Sequence, residues 1–434
     1  MEIASNNDKM YVFLGQFFME YVDVSLLKKS VFEKTSFKER KDKEEFGEFY
    51  LRFLRAKPNE KDVIDRLFFE NILYGRLTNV FVSKLDNKKE EREQFIKKTK
   101  KFIEEINEKN SLSSPIKDSM NPEGFYQMDQ IYTTEKNKFI AGMDIESDGE
   151  YIKKARFLYV QVVPTGTKQN MKMTYLVSGI EIDYENQWCI VSIKNKTDIL
   201  NELDDKKDIN NTVLKNYNFT RDLFFNTYNL NEEFNSKKDQ EGMLLLCKEL
   251  DDKLLADPRA AVSGKVDIQL DDTVETLLNN VFGVPCKSIP SIYHTNLKKR
   301  INSLLLATYI EFFLDDLEIR KKAKELKLIG YPTKVSFKNE NEAKSSTGSS
   351  GATDPIATSP MFHSLYSDFE ETEGLSKWSL SWFTDYKHLQ KSTDVIQTTI
   401  NVTSNYFKVT FLNKRHTGEE LISHVVRTLN QYRK

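Results

Sequence analysis

The three runs Ala155 to Val163, Met173 to Asp183 and Trp188 to Lys194 limit the fold of this chain more than anything else in it. Each is strand-length and rich in β-branched and aromatic residues, and the links between them are short and polar. Together they predict an antiparallel meander. Lys138 to Met143 extends the pattern upstream, with Ile131 to Thr133 beyond a polar turn.

Within the meander, "GIEIDYENQWCIVSIKNK", Gly179 to Lys196, has the outline of a metal-dependent nuclease. Tyr175, Val177, Gly179, Glu181 and Asp183 share one strand face because side chains alternate. A divergent phosphodiester hydrolase would use Glu181 and Asp183 to hold Mg2+ and Lys194 to polarise the attack. That template also needs an acid two residues before the lysine, and the residue there is Ser192. The expectation is therefore a hairpin with a solvated carboxylate face. "DIESDGEYIKKA" places Asp144, Glu146, Asp148 and Gly149 as in a calcium loop, but Ala155 stands where the bidentate glutamate belongs. A turn through Ser147, Asp148 and Gly149 accounts for the same residues.

Helical spacing dominates on both sides of the meander. In residues 10–112, Ile64, Leu67, Phe68, Leu73, Leu77, Phe81 and Leu85 fall near one helical face. Residues 86–110 carry eight basic and seven acidic side chains around a stripe of Phe95, Thr99, Phe102 and Ile106, which reads as a helix with a solvated mixed-charge face. Downstream, "DDTVETLLNNVFG" predicts a helix capped by Asp272 and stopped by Gly283, and Leu297 to Leu328 predicts a long one ending at Gly330.

Residues 339–360 concentrate Ser, Gly, Thr and Ala, the composition of a linker or long loop. The expected fold is α+β and multidomain: a helical domain 1–115, an α+β central domain 120–338, the linker 339–360 and a small α+β module 361–434. The module should hold strands at Trp378 to Phe383, Val395 to Val402 and Tyr406 to Leu412, and a closing helix.

With 434 residues the chain is long enough for two or three cores, and 39% hydrophobic residues exclude global disorder. Lys+Arg 64 against Asp+Glu 66 leaves no whole-chain field for nucleic acid or anionic membrane. Three distant cysteines and five scattered histidines offer no metal-ligand spacing, so neither a metal nor a cofactor is expected. The acidic residues breaking the apolar start exclude a secretory signal and a membrane span there, so a cytoplasmic location is expected. Few Gly and Pro beside much Lys, Asn and Glu associates the chain with bacterial mobile-element or defence systems.

Two places could meet a partner. Lys408 to Lys434 is net +4, and Lys414, Arg415, Arg427, Arg433 and Lys434 are candidate phosphate contacts for nucleic acid. Trp378, Trp382 and Phe383 are candidate apolar anchors for a protein. Every catalytic template tested lacks an obligatory member. The expected function is a non-enzymatic cytoplasmic subunit of a multi-protein assembly, acting through protein contacts and also nucleic acid; the alternative is the Mg2+-dependent nuclease.

Overall fold

The computed structural model describes residues 13–41, 43–87, 89–110, 120–128, 137–167, 169–196, 199, 209–338, 344–349, 351–412 and 415–433. The chain divides into two compact units, Met1–Phe234 with Lys414–Val426, and Asn235–Asn413 with Arg427–Lys434. Both combine helices with antiparallel strands, and the fold is α+β. The division falls at Phe234/Asn235, away from the boundaries expected near 115–120 and 339–360. No helix among the described residues is long and apolar enough to cross a membrane.

The first unit opens with a 3-10 turn, Gly15–Tyr21, and helices α1 (Val24–Lys34), α2 (Phe46–Ala56) and α3 (Lys61–Leu73). Asp23 caps α1 by accepting from the Leu26 amide, 3.1 Å. The helical reading of 64–85 fails in its second half. Helix α3 stops at Leu73, and Asn79–Leu85 is strand β1. The run Asn79-Val-Phe-Val has β-branched and aromatic residues that pack well on a pleated surface, and β1 pairs with β6 along six residues. Helix α4 (Arg92–Asn110) buries the expected stripe of Phe95, Thr99, Phe102 and Ile106 and leaves Lys97, Lys100 and Lys101 exposed.

The meander is present as β3 (Lys138–Ser147), β4 (Ile152–Thr167), β5 (Asn170–Asp183) and β6 (Trp188–Ile193), with β2 (Phe125–Tyr126) beside β3. The strand order in this unit is β2-β3-β4-β5-β6-β1, and β7 (Glu232–Glu233) also pairs β1. The Asp148 carboxylate accepts from the Tyr151 amide and closes the β3–β4 turn, with Gly149 at φ +105°. Ile131 to Thr133 lies outside the described residues.

Both faces of this sheet are covered. On one, helix α5 (Ile209–Tyr228) bonds Ser178 of β5 through Asn216 and Thr220 and stacks Tyr217 on Phe81 of β1 at 3.9 Å. On the other, the end of α3 presses so close that a Cβ on Gly179 would stand 2.5 Å from the Leu73 side chain. Any larger residue there would have to push the Leu73 and Leu77 side chains aside. Glu181 lies two residues along on that same covered face.

In the second unit α6 (Ser236–Phe282) is one 47-residue helix, capped by Asn235 and ended by Gly283 in the left-handed conformation, φ +65°. Gly283 stops the helix as expected, whereas Asp272 lies inside it. Helix α7 (Ser291–Phe313) and helix α8 (Asp316–Glu325) follow, so the long helix expected over 297–328 is interrupted. The capping box of Asp315 and Glu318 starts α8 afresh.

The second unit's sheet runs β12-β11-β10-β8-β9, from β8 (Gly330–Lys338), β9 (Lys344–Gly348), β10 (Lys377–Phe383), β11 (Val395–Val402) and β12 (Phe407–Phe411). Short helices α9 (Pro360–Ser364) and α10 (Tyr366–Glu370) precede β10. Part of the expected linker is therefore strand β9, paired with β8 through Ser336↔Ser346 and its neighbours. Main-chain pairing needs no large side chain, which is why a Ser- and Thr-rich run hid a strand. Residues 339–343 and Ser350 lie outside the described residues. The closing helix α11 (Glu419–Tyr432) begins in the first unit and ends in the second.

Candidate functional site

The hairpin carboxylates sit where the two-sided cover of the first sheet puts them. Glu181 is 3% exposed and Asp183 1%, so the solvated hairpin face is not what forms. Cross-strand register places Arg156 opposite Glu181 and Lys154 opposite Asp183. Lys154 Nζ lies 3.7 Å from Glu181 Oε1, 3.7 Å from Asp183 Oδ2 and 3.3 Å from Glu419 Oε1. Arg156 reaches Asp144 at 3.1 Å, Glu146 at 2.6 Å and Glu419 at 3.0 Å, and its Nε is 3.7 Å from Glu181 Oε2. The Tyr74 hydroxyl donates to Glu181 Oε2. Asp183 accepts from the amide and the side chain of Asn186, both at 2.8 Å, and so fixes the β5–β6 turn.

Burial pushes the Glu181 carboxyl up from its ordinary range, against the pull of Lys154, Tyr74 and Arg156. Burial also opposes the charge on Lys154, but Glu181, Glu419 and Asp183 outweigh it and move the ammonium up. Glu419 is shifted down: its partial burial is outweighed by Arg156 and Lys154. The result is a buried charge network in which protein cations occupy the space around the acids.

This corrects the nuclease outline. That reading requires Glu181 and Asp183 open to a metal with Lys194 beside them. Lys194 is four residues past Ile190, the partner of Glu181, or about 13 Å along the strand. Its ammonium donates to the Glu20 carbonyl at 2.7 Å and lies over the Tyr21 ring. No group of three or more His, Cys, Asp or Glu able to hold a metal ion occurs among the described residues. Lys154, Arg156 and Glu419 escaped the sequence reading. The alternation of Lys154 and Arg156 on the strand before the acids was the one available signal.

The candidate cations of the tail fall in two units. Arg415 is exposed in the first unit and Arg427 is exposed in the second. Arg433 is buried, its Nε 3.0 Å from Asp239 and its guanidinium 4.1 Å from the Phe407 ring centroid. Lys414 and Lys434 lie outside the described residues. Trp378, Trp382 and Phe383 are at most 1% exposed, and the Trp382 indole donates to Thr398 at 2.8 Å. They form core in the second unit, so they present no anchor at its surface.

Exposed apolar side chains concentrate elsewhere. The last turns of α6 and the start of α7 form a helical hairpin, here called the arm, around Leu270, Val274 and Leu278, against which Cys286, Ile289, Leu297 and Ile301 pack. Gly283 turns the chain out of α6, and a 3-10 turn, Cys286–Ser288, flanked by Pro285 and Pro290, leads into α7. At the tip Leu277, Val281, Phe282, Val284, Ile292 and Tyr293 are all exposed, Val281 to 76%. The Phe282 and Tyr293 rings lie 6.1 Å apart. The Lys298 ammonium clamps the arm to Asp271 at 2.7 Å. Sequence reasoning singled out this stretch for its helix ends and missed its surface, because periodicity locates a helix but does not say what covers it.

The chain matches no family model, no curated protein and no solved structure.

Proposed function

We propose that this chain is a non-enzymatic cytoplasmic subunit of a multi-protein assembly, and that its arm makes the protein contact. What supports the reading is the cluster of six exposed large apolar side chains within residues 277–293. Such clusters mark interaction surfaces, because leaving them in water forgoes about 1 kcal/mol for each half-exposed side chain that a partner could cover. The polar constellation that looked catalytic holds strands together, and Arg433 is buried against Asp239. Free Cys189 and Cys247 are buried and Cys286 is half-buried, which suits a reducing compartment.

The test is photo-crosslinking from position 282 in cells producing the full chain. The reading expects protein adducts that disappear when Val281 is also changed to Asp. Adducts to nucleic acid alone, or none, would count against it.

A further inference from the structure

We infer that the arm pairs with the arm of a second copy of this chain, antiparallel and about a two-fold axis. This rests on the protein-contact reading above and names the partner. It is carried by the order of surfaces along the arm. The tip is apolar. Its middle is charged and split by sign: α6 exposes Asp267, Asp271, Asp272 and Glu275, while α7 carries Lys298, Lys299 and Arg300, and no acid occurs from Leu277 to Arg300. Past the basic residues, Leu304 and Leu305 are again exposed and apolar.

A two-fold antiparallel pairing reverses that order in the second copy. The apolar tip of one arm then meets the apolar base of the other, and the acidic helix of each meets the basic helix of its partner. The pattern is self-complementary, as an isologous contact requires. Asp267, Asp272 and Glu275 have no ion-pair partner among the described residues. Lys299 and Arg300 lean on Glu370 and Asp368 at 3.4 and 3.6 Å in exposed pairs, which are worth little and exchange readily. A second copy answers both signs of charge, whereas an anionic bilayer would answer only Lys287 and the basic start of α7.

Covering both tips removes their exposed apolar side chains from water, a gain largely offset by the cost of association, so the dimer is expected near the micromolar range. Sedimentation velocity of the full chain over about 1 to 100 µM tests this. The mass should rise from 50.7 kDa toward twice that value. Val281→Asp with Phe282→Asp should stay monomeric. Asp272→Lys with Glu275→Lys, and separately Lys299→Glu with Arg300→Glu, should each weaken self-association about tenfold, a shift of about 1.4 kcal/mol. An equimolar mixture of these two charge variants should associate as the wild type does, since the reversed charges now match. Melting curves establish that each variant folds.

A monomer at every concentration, a dimer indifferent to the tip, or a mixture that does not recover overturns the inference. A monomer that holds a different protein through the tip also overturns it, and leaves the protein-contact reading standing. Flotation on phosphatidylserine vesicles, lost in the tip variant, would overturn it in favour of a bilayer.

Discussion

The sheet of the first unit and the arm of the second invert the usual distribution of side chains in opposite ways. Around β4 and β5, Glu181, Asp183 and Arg156 are charged residues at 5% exposure or less. On the arm, Val281, Phe282 and Ile292 are apolar residues more than half exposed. The buried charges answer one another within the chain, whereas the exposed apolar groups have no such answer among the described residues. Internal pairing marks the first as structural. Its lack is what supports the proposal that the second meets another molecule.

Removing a partner from the network should produce the largest effect. Arg156→Ala leaves Glu181, Asp144 and Glu419 short of their cation, and breaking a buried pair costs about 3 to 5 kcal/mol. Urea denaturation of the two proteins measures it. A loss below about 1 kcal/mol would mean the network is as solvated as a surface pair, and the contrast with the arm would collapse.

Two carboxylates of the network should respond to pH in opposite senses. The Glu181 carboxyl is raised above its ordinary value of 4.5, so its contribution is present below that value and is lost as pH rises through the folded pKa. Wild type should therefore lose stability relative to Glu181→Gln as pH increases above about 4.5. Glu419 is lowered from 4.5, so its contribution is present above that value and is lost as pH falls through the folded pKa. Wild type should lose stability relative to Glu419→Gln on acidification. Stability measured from pH 3 to 8 for the three proteins separates these slopes, and slopes of one sign would show that burial and pairing are wrongly apportioned.

Much smaller changes are expected outside the network. Val281→Asp with Phe282→Asp should alter the unfolding free energy of dilute protein by about 1 kcal/mol or less, since both side chains are more than half exposed and Phe282 loses only its ring contact with Tyr293. A larger loss would mean the tip is core. Smallest of all, Lys101→Ala removes only an exposed pair with Glu105 and should change stability by about 0.3 kcal/mol or less, read from the same urea curves.

Much of this was legible in the sequence, and what was missed has physical causes. The meander, the α4 stripe, the Gly283 stop and the strands around Trp378, Ile396 and Val409 follow from local periodicity and turn chemistry. Strand β1 was read as helix because Leu77, Phe81 and Leu85 are spaced for either until a neighbouring strand decides. Strand β9 was hidden because hydrogen bonds to β8 leave no apolar mark. Glu181 and Asp183 were expected in water because alternation indicates two faces but not that helices cover both. Register decides which cation meets which acid, and Arg156↔Glu181 is 25 positions apart in the chain. The arm's surface was missed for the same reason: contact is a property of the folded chain.

The claim that the arm is a contact surface for a second copy of this chain is tested most directly by hydrogen–deuterium exchange as a function of protein concentration. Amides of residues 277–293 should exchange quickly in dilute solution and gain protection as concentration rises, while those of β4 and β5 stay protected throughout. Arm exchange that is independent of concentration, or that is already slow in dilute protein, would contradict the account.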